Sequence, residues 1–360
     1  MAKLALAHDH LFQKGGAERV LATFAALDNQ APIYTLINDQ KVTADLFDQN
    51  RIYTSSLQNI PNINKIFRYF LWRMPKTWEN TDLSEYDVVL SSASAFVKGL
   101  KKSNKTKHIC YCHAPTRYLW GDKDEYLGNL PTGKLIKMIL PYFFKKMQTW
   151  DYIKAQEVDT FVANSAFIAN KIKKHYNRDA QVIHPSIRVD DFKIADQVGD
   201  YYLIVSRLRP YKKVEIAIQA FNNMKLPLKI IGSGSEINRL KKMAGDNVEF
   251  LGELSDQERN HYLSHCKAFL YPQVEDFGIT ALEAMASGRP VIAYAKGGAL
   301  ETIVDGVTGV FFKHQNWAAL THAVLHFQNM DFDSQLIRQH AKQFDETIFI
   351  AKMKELLNQL

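Results

Sequence analysis

The chain has 360 residues, 46% of them apolar and 23% charged, and 45 Lys and Arg against 38 Asp and Glu give a net charge of +7. That length exceeds what one core usually organises and predicts two domains; the composition excludes a disordered chain, and three cysteines exclude a disulfide framework. The positive balance lies in residues 1–190, with 26 basic and 18 acidic side chains against 19 and 20 in residues 191–360, so an anionic partner is expected on the first half.

The opening MAKLALAHDHLF carries one Lys, a short apolar run and then His-Asp-His, too short and too polar for a secretion signal. No run approaches the roughly 18 uncharged apolar residues of a membrane span. Cys110, Cys112 and Cys266 fit a reducing compartment, and Cys110-Tyr-Cys112 lacks the second half of a zinc site. A cytoplasmic protein is expected, free or peripheral on the inner face of the cell membrane.

Short apolar runs followed by helical patterns recur along the chain, the mark of βα units and parallel sheets. Residues 4–7, 88–90, 108–111, 160–163 and 181–183 read as strands of one set, and 202–205, 228–231, 248–251, 268–271 and 290–293 as strands of a second. The polar, strand-poor stretch 186–200 separates them. The fold class is therefore α/β, with two doubly wound Rossmann-like domains over 1–185 and 200–344. Ile348, Ile350, Met353, Leu356 and Leu357 predict an amphipathic helix over 345–360, expected to pack back on the first domain.

Gly15 and Gly16, in Gln-Lys-Gly15-Gly16-Ala-Glu18, follow the first strand and open a helix; paired glycines let backbone approach a ligand, although this is neither a Walker loop nor G-x-G-x-x-G. His113 follows a strand and precedes Pro115, where it either donates to a sugar hydroxyl and polarises a leaving group or is a structural histidine. Arg207 and Lys212 lie in the loop Ser206-Arg-Leu-Arg-Pro-Tyr-Lys212 after strand 202–205. Cations at the carboxyl end of a parallel strand suit a diphosphate, or merely decorate a βα turn. Glu275 and Glu283 flank Phe277, Gly278, Ile279 and Thr280, with Glu275 expected in a loop and Glu283 in the first turn of a helix. The N–H groups and positive end of such a helix suit a phosphate, with a carboxylate on either side for hydroxyls. The plainer alternative is two solvated glutamates beside a turn.

Together these motifs, with Gly297-Gly298 and Glu301-Thr302 beyond, resemble the family 4 retaining glycosyltransferases, the match running through most of the chain and resting chiefly on EDFGITALEAMASGRPVIAYAKGGALETI. The resemblance implies the GT-B fold, two facing Rossmann-like domains with the active site in the cleft. It also implies a hexosyltransferase closest to members that use GDP-mannose. By position, Glu283 would bind the nucleotide ribose and Glu275 the donor hexose. Arg207, Lys212 and the backbone of Gly278, Ile279 and Thr280, beside Phe277, would hold the diphosphate. His113 would lie near the transferred sugar and Gly15 and Gly16 near the phosphate. Fixed cations and amides stabilise a departing diphosphate without a metal, so neither metal nor cofactor is expected. Asp122-Lys-Asp124 mimics the metal-binding pair of another transferase fold, but its turn WGDKDEYLGN reads as a solvated loop.

Lys65–Trp78 and Lys134–Trp150 mix cations with large apolar residues. They read either as interfacial helices on an anionic membrane or as helices packed on the sheet with snorkelling lysines. The basic first half favours the former and, with the family resemblance, a polyprenyl-diphosphate-linked or glycan acceptor in cell-surface polysaccharide synthesis. The alternatives within reach are a UDP-sugar-dependent transferase of glucose, galactose or N-acetylglucosamine and a nucleotide-sugar epimerase of the same shape. Nucleic acid is excluded as a partner, because the cations are scattered and no recognition motif is present.

Overall fold

The computed structural model describes residues 2–121 and 134–359. The Asp122-Lys-Asp124 turn lies outside the described residues, as do the side chains of 134–140. The chain divides into two compact units, Met1–His184 with Ile350–Leu360, and Pro185–Phe349.

The first unit is built on a parallel sheet of seven strands: β1 (Leu4–His8), β2 (Ile33–Thr35), β3 (Ile52–Thr54), β4 (Val88–Ala93), β5 (Lys107–Cys112), β6 (Thr160–Ala163) and β7 (Gln181–Val182), in the order β3-β2-β1-β4-β5-β6-β7. The central strands are buried on both faces, which is why they read as unbroken apolar runs rather than alternating ones. β2 and β3 were not expected. Each is the tripeptide Ile-Tyr-Thr, and they pair in register with the Tyr34 and Tyr53 rings stacked 5.2 Å apart. The helix Lys134–Gln156 carries Pro141; beyond it Phe144 and Met147 face the core while Tyr142 is 76% exposed.

The second unit has six parallel strands: β8 (Tyr202–Val205), β9 (Leu228–Ile231), β10 (Val248–Gly252), β11 (Phe269–Tyr271), β12 (Val291–Tyr294) and β13 (Gly309–Phe312), in the order β10-β9-β8-β11-β12-β13. β13 was missed because it opens on Gly309 in a turn-rich stretch. The region read as a separator forms no strand, yet Ile187, Val189 and Phe192 are buried in this unit's core. The terminal helix spans Glu346–Asn358.

In both sheets the chain winds first to one side and then to the other. The order reverses between β1 and β4 in the first unit and between β8 and β11 in the second. Loops diverge at such switch points, leaving a crevice at the carboxyl ends of the strands where ligands of open α/β sheets bind.

Candidate functional site

In the second unit the two loops that flank the switch point carry most of the expected residues. The loop after β8 is fixed by backbone contact. Leu208 N–H donates to Ser233 O at 2.7 Å and Ser206 N–H to Ile231 O at 3.0 Å. A Cβ on Gly232 or Gly234 would meet Ser206 O or Leu208 O at 2.0 or 2.2 Å, so only glycine permits this approach. On that support Arg207 is exposed and Lys212 ends a 3-10 turn over Pro210–Lys212.

The loop after β11 is held from below by Gly297 and Gly298. Gly298 N–H donates to Glu275 O at 2.9 Å. A Cβ on Gly298 would stand 2.3 Å from the Phe277 Cα. Lys212 and Glu275, from neighbouring loops, form a direct ion pair. The family resemblance implied separate tasks for them, one for phosphate and one for sugar; the structure makes each the other's counter-ion.

Gly278 ends this loop at φ 108°, a left-handed conformation that brings it against the Tyr271 hydroxyl. The helix Ile279–Ala286 starts there. Ala281 and Leu282 N–H turn back to Gly278 O, while the amides of Ile279 and Thr280 project from the positive helix end. Two expectations change. Phe277 is buried against Phe344 with ring centroids 5.9 Å apart, so its side chain belongs to the core and only its backbone is available to a donor. Glu283 is the fifth helical residue, hence in the second turn rather than the first, and is 3% exposed. Arg259, from the helix Asp256–His265, brings its Nη2 within 3.8 Å of the Glu283 Oε1. Its Nε is buried with no hydrogen-bond partner. Sequence reasoning missed Arg259, since nothing in SDQERNHYL marks it off from other solvated helix charges.

The first unit gathers a buried polar cluster at its own switch point. His113 Nε2 lies 2.8 Å from the Ser92 Oγ, and His8 Nδ1 donates to Ser92 O at 3.0 Å, which places a proton on that nitrogen. Burial lowers the His113 pKa to about 3, so its imidazole is neutral and serves as a hydrogen-bonding group rather than an acid. Glu18 is buried 3.8 Å from His8 Nε2. Burial opposes its charge, but His8 and the hydrogen bonds outweigh that and hold its pKa at about 2. Its carboxylate accepts the Gly15 N–H at 2.9 Å. Of the two glycines expected to offer amides, Gly15 therefore has its own engaged, and Gly16, the first residue of the helix Gly16–Leu27, is left to do so. Asp9 accepts four amides, from Ser94, Ala95, Phe96 and Val97, at 2.6 to 2.8 Å, and so fixes the turn that follows β4. His8 and Asp9 were legible only as a polar end to the first strand.

Residues 190–344 match the family model of the glycosyl transferases group 1. That segment is similar to this family. The chain is 27% identical over 319 residues to an uncharacterised glycosyltransferase of Methanocaldococcus jannaschii, covering 85% of this chain and 84% of that protein. It is 27% identical to an alpha-1,3/1,6-mannosyltransferase of Dictyostelium discoideum, where the alignment covers 62% of this chain and 63% of the relative. Among solved structures it is similar to the Anabaena protein HepE in complex with UDP and glucose, with a TM-score of 0.72, 18% identity and full coverage of both chains. The two doubly wound units thus have the GT-B architecture of glycosyltransferases.

Proposed function

We propose that the protein is a retaining hexosyltransferase that moves mannose from GDP-mannose to a glycan or a polyprenyl-diphosphate-linked acceptor. The observation that carries this reading is the convergence, at one switch point, of Arg207, the Lys212–Glu275 pair and the amide-bearing start of the helix Ile279–Ala286. Two cations and a helix end suit a diphosphate, and the negative charge that grows on it as it leaves is what they stabilise; no metal is needed for that task. Once Lys212 turns to phosphate, Glu275 is free to accept hydrogen bonds from hexose hydroxyls. Glu283 accepts from the ribose. His113 offers a neutral imidazole to a sugar hydroxyl.

In the reaction, the bond from the anomeric carbon to phosphate oxygen breaks while the acceptor oxygen bonds to that carbon from the same face. The acceptor proton passes to the departing phosphate. Mannose is favoured by the mannosyltransferase among the relatives and guanosine by the motif resemblance alone; UDP in the similar structure keeps a UDP-sugar donor as the second reading. The test is nucleoside diphosphate release from GDP-mannose, UDP-glucose, UDP-galactose and UDP-N-acetylglucosamine, with Glu283→Ala as control. Release from GDP-mannose alone supports the proposal, release from a UDP-sugar transfers it to the second reading, and no release from any donor overturns it.

The proposal extends to peripheral attachment at the inner face of the cell membrane. Tyr69 and Trp72 are 56% and 60% exposed beside Lys65, Arg73 and Lys76, while Leu71, Met74 and Trp78 of the same stretch are buried. Exposed aromatics among cations suit an anionic headgroup layer. No described helix is long and apolar enough to cross a membrane. Co-sedimentation with anionic vesicles that weakens with salt is expected; absence of binding at low salt would remove this part of the proposal.

A further inference from the structure

The turn that Asp9 fixes after β4 runs directly into Lys98, whose ammonium meets Asp151 of the helix Lys134–Gln156 at 2.7 Å, with the two side chains 3% and 0% exposed. Asp151 Oδ1 also accepts the Thr116 hydroxyl at 2.9 Å, while Oδ2 accepts the Trp120 indole N–H and the Tyr176 hydroxyl, each at 2.7 Å. Lys98 donates further to Thr116 Oγ1 at 3.0 Å and to Ala95 O. Burial opposes the lysine's charge, yet Asp151 outweighs it and holds the pKa above the usual value, so the pair is ionised. Burial and then the Asp151 charge push Tyr176 well above the usual phenol range, which keeps its hydroxyl a donor.

Two paired charges in a core add little stability that well-packed apolar side chains of the same volume could not supply, so their use is sought in geometry. Here the geometry is imposed on one segment. Thr116 is the cap and Trp120 the last residue of the short helix Arg117–Trp120, so a single carboxylate grips both of its ends. The Tyr176 hydroxyl holds the Thr116 N–H as well, at 3.2 Å, and Gln148 holds Leu119 O. Three residues before Thr116 stands His113, with its N–H on Ala93 O and its carbonyl on Asn164. Ala114 and Pro115 between them are buried, and the proline has a fixed φ, so a shift of Thr116 is passed back to the imidazole rather than absorbed. We propose that Asp151 and Lys98 are positioning residues for transfer, setting where the His113 imidazole meets a sugar hydroxyl, an assignment that rests on the transferase reading above.

The test compares Tyr176→Phe, Trp120→Phe and the apolar double variant Lys98→Met with Asp151→Leu against Asp159→Asn. The last loosens the opposite end of β5, where Asp159 holds Lys102 and the His108 N–H. Four quantities are read on the full chain: Tm, GDP affinity, kcat and KM for a donor that wild type turns over, and the His113 imidazole resonance, assigned by its loss in His113→Asn. The double variant is expected to fold, to bind GDP as wild type does and to shift the His113 resonance, with kcat down about tenfold or more and KM changed less than about twofold. Each phenylalanine variant should show the same pattern more weakly, and Asp159→Asn should lower Tm alone. If the double variant does not fold, the phenylalanine variants decide. An unmoved His113 resonance with unchanged kcat in the folded variants overturns the positioning role, as does a loss of kcat that simply follows Tm and is shared by Asp159→Asn. Should wild type release no nucleoside diphosphate from any donor, the transferase reading fails instead, and the His113 resonance still decides whether Asp151 and Lys98 position it.

Discussion

Lys212 and Glu275 close on each other across the switch point of the second sheet, with side chains only 14% and 17% exposed. A nucleoside diphosphate must compete with Glu275 for Lys212. Glu275→Gln removes the competitor while keeping the shape, so GDP is expected to bind about threefold to tenfold tighter while transfer is lost. Lys212→Met should weaken GDP binding by about tenfold or more. Isothermal titration reads both. Weaker GDP binding by the glutamine variant would show that the carboxylate serves the nucleotide directly.

Arg259 and Glu283 form another charged contact beside that helix, with the carboxylate more deeply buried than the guanidinium. Removing Arg259 takes a cation from beside the buried Glu283 carboxylate, whereas removing Glu283 leaves Arg259 on Asp256, 2.6 Å away. Arg259→Met and Glu283→Gln are each expected to weaken GDP binding by about tenfold, and the double variant to be no worse than the worse single, since the two act as one unit. The rate at saturating donor should change less than affinity. Additive losses would mean that Arg259 acts elsewhere.

Acid should unfold the first unit, and the sign follows from its buried groups. His113 and His108 each have a pKa lowered by burial to about 3, against 6.5 when unfolded. Their contribution to stability is complete above pH 6.5 and is lost as pH falls toward 3, at about 1.4 kcal/mol per pH unit per histidine. Glu18, lowered to about 2 from 4.5, acts in the same direction over pH 4.5 to 2. Calorimetry is expected to show Tm falling steadily from pH 6.5 downward, and less steeply in His108→Gln. Transfer should carry no titration from His113 between pH 6 and 8. A rate that follows an ionisation removed by His113→Asn would contradict its neutral state.

The second unit was the more legible because its chemistry lies in consecutive residues after long apolar strands. The loop and helix around Gly278 are where the motif put them; the depth of each side chain is not. Phe277 and Glu283 both point inward, a property of helix phase and of packing against Phe344 and Arg259 that a linear motif does not carry. In the first unit, strands of three residues fell below the length at which a pattern separates from chance. The polar cluster joins His8, Glu18, Ser92 and His113, residues brought together only by the strand order β1-β4-β5. Gly232 and Gly234 were likewise unremarked, since their use is to admit the neighbouring loop rather than a ligand.

Gly298 gives the sharpest test of that dependence on packing. An alanine Cβ there would stand 2.3 Å from the Cα of Phe277 and 2.4 Å from its carbonyl oxygen, both backbone atoms that cannot swing aside. The loop from Glu275 to Gly278 must move, and with it the start of the helix Ile279–Ala286. Gly306 is a fair comparison. It has φ 73° with only the Met330 Cε as a neighbour, at 3.9 Å, so Gly306→Ala carries conformational strain of about 1 kcal/mol and no collision. Gly298→Ala is expected to lose GDP binding by more than about tenfold at a Tm at which Gly306→Ala binds normally. Equal GDP affinity in the two variants would mean that the Glu275 loop does not position the nucleotide site, and the assignment of Lys212, Glu275 and the helix end to one donor would have to be abandoned.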